Sequence, residues 1–230
     1  MNAFDAVKAC KLVYDEQSFL EIANLLKCDS FNFFEDADTC VLHARNLNFQ
    51  YLIFRGTFSA PGWILDARFI PTQFDQFPGR IHRGFGQAYF EFEEWFKGLH
   101  DPNATLYCAG HSLGGALATL TAWRFTTEHV YTFGCPRVGD EEFAYNYPTY
   151  YSEDGKATFK RQTRYVHDLD PVPRVPLRPF KHVCDETRIG GSSWLSAAWQ
   201  HLTLGFSGTL LAALDDHRIG NYYDAMQLLK

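Results

Sequence analysis

Ser112 lies between Gly110 and Gly114 in the run Tyr107-Cys108-Ala109-Gly110-His111-Ser112-Leu113-Gly114-Gly115-Ala116. A serine in Gly-x-Ser-x-Gly, at a strand-to-helix turn, has a strained backbone that pushes its hydroxyl outward, and glycines flank it because a β-carbon would crowd the turn. The bland alternative is a glycine-rich structural turn. A serine hydroxyl is a poor nucleophile near neutral pH, so it needs a base, and the base needs a carboxylate to fix its tautomer. Acyl transfer also needs two N–H groups aimed at the developing oxyanion, one usually from the residue after the nucleophile, here Leu113. The second candidate is Thr57, which ends a strand-like run in Arg55-Gly56-Thr57.

The elements around the motif support this chemistry. Thr105 to Ala109 is short, apolar and fit for a buried strand, and Leu113 to Ala122 has the alanines and leucines of a helix. Further strands are expected over Thr39 to Ala44, Tyr51 to Phe54, Val130 to Gly134 and Thr163 to His167. Strand, helix, strand around the turn implies an α/β fold with a mostly parallel central sheet flanked by helices. The order serine, acid, histidine then leaves His182, His201 and His217 as bases, with His217 modestly favoured at an apolar-to-polar boundary. Asp168 and Asp170, in a loop stiffened by prolines, compete as the acid.

Elsewhere the residues read as scaffold. Phe4, Val7, Cys10 and Tyr14 fall near one helical face and read as packing rather than chemistry. Ser18-Phe19-Leu20-Glu21 reads as a capping box opening a second helix. Gly79 to Gly86 opens a helix through Phe96; Gly84-x-Gly86 lacks the third glycine of a dinucleotide fingerprint, so no nucleotide site is read. Residues 145 to 161 read as a surface excursion or hairpin. The segment from Phe58 through Leu65 reads equally as a small mobile lid or a buried loop. Between Ile189 and Leu214 no Asp, Glu, Lys or Arg occurs. We read 187–214 as a cap, with Trp194, Trp199 and Phe206, together with Phe58 and Trp63, as acyl-pocket or lid residues; the competing reading is a membrane-docking surface.

The 230 residues suit one domain, 46% hydrophobic and 17% aromatic, which argues against disorder. A net charge of -6 and a sequence pI near 5.8 argue against a nucleic-acid partner. The six cysteines have no metal-ligand spacing and read as buried thiols. Met1 to Asp5 shows no basic start or apolar run, so a cytoplasmic protein is expected, the alternative being a secreted one whose leader was removed. Asn103-Ala104-Thr105 is a glycosylation sequon that matters only in that alternative.

The chain resembles the class 3 lipase family, the fungal triacylglycerol lipase type of α/β-hydrolase. The resemblance runs through Phe54-Arg55-Gly56-Thr57, Trp63-x-x-Asp66, Ile81-His82-x-Gly84-Phe85, Gly110-His111-Ser112-Leu113-Gly114-Gly115, Phe133-Gly134-x-Pro136-Arg137-Val138-Gly139, Asp170-Pro171-Val172-Pro173 and His217. It implies Ser112 as nucleophile, Asp170 rather than Asp168 as acid, His217 as base, and Thr57 and Leu113 as the oxyanion pair. It implies a serine hydrolase of acylglycerol-type lipid esters, with no cofactor or metal and with a transient membrane or lipid-droplet interface. It leaves oligomeric state open. A phospholipase, thioesterase or acyltransferase would keep the same triad, and a non-catalytic lipid- or protein-binding scaffold would keep the fold alone.

Overall fold

Every second residue of the central strands faces the opposite side of a sheet that is buried on both faces, which is why these runs read as continuously apolar. The structure, a computed structural model, describes residues 1–36, 39–57, 69–148, 150–151, 158–159, 161–191 and 214–229. Among the described residues, seven strands form the main sheet, taken here in their order across it. These are Ser30–Asp36 (β1), Thr39–Arg45 (β2), Phe49–Phe54 (β3), Thr105–His111 (β6), His129–Phe133 (β7), Gln162–His167 (β10) and Glu186–Ile189 (β11). The first three pair antiparallel; β3, β6, β7, β10 and β11 run parallel. The carboxyl ends of the parallel strands therefore share one edge, where open α/β sheets place their ligands.

Helices cover both faces. Ala3–Leu12 (α1), Phe19–Leu25 (α2) and Ile219–Gln227 (α6) lie on one side, with Cys10, Ile22 and Tyr222 packed against Tyr51, Ile53 and Ala109. Arg83–Lys97 (α3) and Leu113–Arg124 (α4) lie on the other, where Phe92, Phe96, Leu117 and Leu120 meet Leu52, Phe54 and Cys108. Phe92 lies edge-on to Phe54 at 5.0 Å and stacked on Phe96 at 5.7 Å. Each ring fully buried here contributes roughly 1.5–3 kcal/mol. α4 is buried from Leu113 through Ala122, so it is apolar all round rather than striped.

Several local expectations need correction. α1 is capped by Asn2, whose side chain accepts the Asp5 N–H at 2.9 Å. Ser18 makes no side-chain cap; Asp15 accepts the Gln17 N–H and starts a single 3-10 turn, Glu16–Ser18, before α2. The strand expected to reach Gly134 ends at Phe133, because Gly134 takes a φ of +60°. The cap expected over 187–214 gives up its first residues to β11, which pairs with β10 up to Ile189. Within the excursion at 145–161, Glu141–Asn146 (α5) ends at Asn146, and Tyr150–Tyr151 (β8) pairs antiparallel with Thr158–Phe159 (β9). A second small hairpin joins Pro71–Gln73 (β4) to Arg80–His82 (β5). Cys10, Cys40, Cys108 and Cys135 are buried, whereas Cys28 and Cys184 are half-buried, so the expectation of buried thiols holds for four of the six.

Candidate active site

Ser112 sits between β6 and α4 with φ 56° and ψ -127°, a left-handed conformation that a serine adopts only when its surroundings enforce it. Two contacts do so. Its N–H donates to the Phe133 carbonyl at 2.9 Å. A β-carbon on Gly114 would overlap the Phe54 carbonyl, so α4 presses directly on the end of β3. The elbow also opens the helix at Leu113, whose N–H, as the first residue of α4, has no intrahelical acceptor.

Asp170 follows β10 and is completely buried. Its Oδ1 accepts the Val172 N–H at 2.8 Å, while Oδ2 accepts from Tyr222 Oη at 2.5 Å and pairs with His217 Nδ1 at 2.8 Å. An ionised carboxylate only accepts, so Nδ1 carries the proton and His217 Nε2 presents its lone pair. Among the described residues, His217 Nε2 and Ser112 Oγ are both buried with no hydrogen-bond partner. Buried polar groups are usually paired in a protein interior, and these two lie beside the buried carboxylate of Asp170 or on the strained elbow.

The competing acids and bases separate clearly. Asp168 turns away, its carboxylate 3.6 Å from His167 Nε2. His182 bonds through Nε2 to the Pro173 carbonyl at 2.6 Å, and burial pushes its imidazole down to about 3. His201 lies outside the described residues, as do Phe58, Trp63, Trp194, Trp199 and Phe206.

Thr57 is buried at the end of β3, with its Oγ1 unpaired among the described residues. The chain just before it runs hard against the elbow: a β-carbon on Gly56 would lie 3.0 Å from Ser112 Cβ and 2.8 Å from the His111 carbonyl oxygen. Thr57 thus follows a residue that presses on the elbow, and Leu113 opens α4 immediately after the serine.

Sequence reasoning missed three contributors. Gly134 abuts both Asp170 and His217. Tyr222 supplies the second side-chain bond to the acid; burial, then Asp170, hold its phenol well above the usual range, so it remains a donor. Tyr14, read from the sequence as packing, places its hydroxyl 2.7 Å from His111 Nδ1. Only Gly134 stood within a recognisable motif; Tyr14, just past α1, and Tyr222, on α6, are remote in sequence.

Residues 51–180, more than half of the chain, match the lipase (class 3) family. The chain belongs to the class 3 lipases. The matched stretch holds Thr57, Ser112 and Asp170 and stops short of His217. A lipase from Rhizomucor miehei is 33% identical over 148 residues, 56% of this chain and 38% of that one. A Rhizopus oryzae lipase is 28% identical over 219 residues, 88% of this chain and 51% of that one. A secreted mono- and diacylglycerol lipase A from Penicillium cyclopium is 31% identical over 144 residues, 57% and 44% of the two chains. This class 3 lipase chain spans about half the length, or less, of these curated relatives. Among solved structures, one from Penicillium cyclopium superposes with a TM-score of 0.67 at 25% identity, over 82% of this chain and 79% of that one. A lipase from Rhizopus microsporus var. chinensis superposes with a TM-score of 0.62 at 25% identity, over 81% and 71%. The fold of this class 3 lipase is the α/β-hydrolase fold.

Proposed function

We propose that this chain is a serine hydrolase that cleaves acylglycerol-type lipid esters through an acyl-enzyme. The observation that carries the reading is the strained Ser112 elbow together with two buried atoms that have no partner among the described residues, Ser112 Oγ and the Nε2 of His217, whose other ring nitrogen is committed to Asp170. Ser112 Oγ attacks the ester carbonyl carbon as Nε2 takes the hydroxyl proton. The oxyanion is held by the N–H groups of Leu113 and Thr57; losing one such donor costs on the order of 3 kcal/mol of barrier. The protonated Nε2 then delivers its proton to the departing alkoxide, leaving the acyl group on Oγ. Water repeats the sequence in the second half-reaction: Nε2 takes its proton, the hydroxyl oxygen bonds to the acyl carbon, and Ser112 is released with its proton restored.

The relatives named as mono- and diacylglycerol lipases support an acylglycerol substrate, and those named as secreted favour the secreted reading over the cytoplasmic one. Buried thiols are compatible with that compartment. Burial alone pushes Cys10 and Cys108 far above the ordinary thiol range, and burial first pushes Cys135 to about 12, so little reactive thiolate forms. The test is hydrolysis of p-nitrophenyl esters from acetyl to palmitoyl, and of mono-, di- and triacylglycerol, by the parent and by Ser112→Ala. Ester turnover that vanishes in the variant is the expected result; none on any ester would end the reading. A rise in rate when long-chain substrate aggregates would support the interfacial partner.

A further inference from the structure

Tyr14 lies just past the end of α1, outside the stretch that matches the family, and its hydroxyl is a junction. It accepts the Gly56 N–H at 3.1 Å and meets His111 Nδ1 at 2.7 Å. The other nitrogen of that ring, Nε2, meets the backbone carbonyl oxygen of His217 at 2.7 Å.

The polarity of this chain is fixed. A carbonyl oxygen only accepts, so His111 Nε2 carries a proton. Burial, and behind it the neighbouring His217, hold His111 well below the ordinary imidazole range, so the ring is neutral and Nδ1 is a lone pair. Tyr14 therefore donates to Nδ1 and takes the Gly56 N–H on its oxygen. Neutrality has a second use. The His111 and His217 rings stack with centroids 4.6 Å apart and 29° between planes. A charged His111 there would oppose the imidazolium that His217 becomes when it takes the serine proton.

The three anchor points are the strand end leading into Thr57, the elbow carrying Ser112, and the loop carrying His217. We propose that Tyr14 and His111 are positioning residues for acyl transfer, holding the Thr57 donor and the His217 base in register with Ser112 through one hydrogen-bond chain. The proposal rests on the serine-hydrolase reading above. It makes the segment after α1 part of the catalytic scaffold.

The test uses the full chain with Tyr14→Phe, His111→Gln and the double variant. For each, kcat and KM on p-nitrophenyl butyrate, inhibition by a trifluoromethyl ketone and the thermal midpoint are measured. The ketone adds Ser112 Oγ to its carbonyl carbon and leaves an oxyanion in the same place as the reaction does. Tyr14→Phe is expected to lower kcat by about tenfold or more and to weaken the ketone by a similar factor, with KM within about twofold of the parent. The double variant is expected to lose no more than the weaker single one, because both cut one chain. Three results would overturn the proposal: parental kcat and ketone inhibition in Tyr14→Phe, single-variant losses that multiply in the double variant, or loss of the thermal transition in Tyr14→Phe. A parent with no Ser112-dependent turnover would mark failure of the hydrolase reading itself, visible before any positioning variant is compared.

Discussion

Gly134 lies against the imidazole of His217: a β-carbon there would stand 2.9 Å from its Nδ1 and Cε1, and 2.9 Å from Asp170 Oδ2. With φ at +60°, this residue both adopts a conformation that disfavours side chains and leaves the space in which the acid and base meet. Gly134→Ala should cost about 1–2 kcal/mol of stability from backbone strain, and should lower kcat by about a hundredfold because the His217–Asp170 pair must shift. Turnover measured beside the thermal midpoint checks this; near-parental kcat would show that the pair tolerates displacement.

Tyr222→Phe keeps the ring in the core and removes one donor from Asp170 Oδ2. A hydrogen bond to a charged group contributes about 1.5–3 kcal/mol, so kcat should fall roughly tenfold or more while KM stays near the parental value. Steady-state kinetics on a soluble short-chain ester decides it. A fall in activity of the parent on the alkaline side should not trace to this phenol, since burial and Asp170 keep it protonated.

Acid should destabilise the fold through its buried imidazoles. Burial pushes His43 and His82 down to about 4 and His182 to about 3, below the ordinary imidazole value of about 6.5. Between these values and 6.5 the unfolded chain binds protons that the folded chain refuses, so stability is greatest above 6.5 and falls as pH drops toward 4. Each such histidine contributes a slope of about 1.4 kcal/mol per pH unit across that window. His43 packs edge-on to Phe96 at 5.3 Å, so His43→Phe should preserve packing and flatten the decline. Urea midpoints from pH 7 to 4.5 measure it; an unchanged slope would count against His43 as a contributor.

What the sequence made legible follows from how local each signal is. The elbow at Ser112 and strands β3, β6 and β7 are written in short, largely apolar runs followed closely by glycine, and β10 in a shorter alternating run; Thr57, Ser112 and Asp170 follow the ends of β3, β6 and β10. The base was not local. Residue order alone left His182, His201 and His217 open, and the bond from His217 to Asp170 joins positions 47 residues apart. Tyr14 and Tyr222 were illegible for the same reason: one lies just past α1 and the other on α6, where periodicity reports only burial, while the hydroxyl's partner is set by how each helix docks on the sheet. β1 was missed because Phe31 and Phe33 stay partly exposed, their rings against Phe19, so no continuous buried run marks the strand.

The most direct test of the central claim is labelling with a fluorophosphonate probe, followed by peptide mapping, of the parent, Ser112→Ala and His217→Gln. The account predicts one adduct on Ser112, absent in Ser112→Ala and formed far more slowly in His217→Gln. An adduct on another residue, none in the parent, or a rate indifferent to His217 would contradict it.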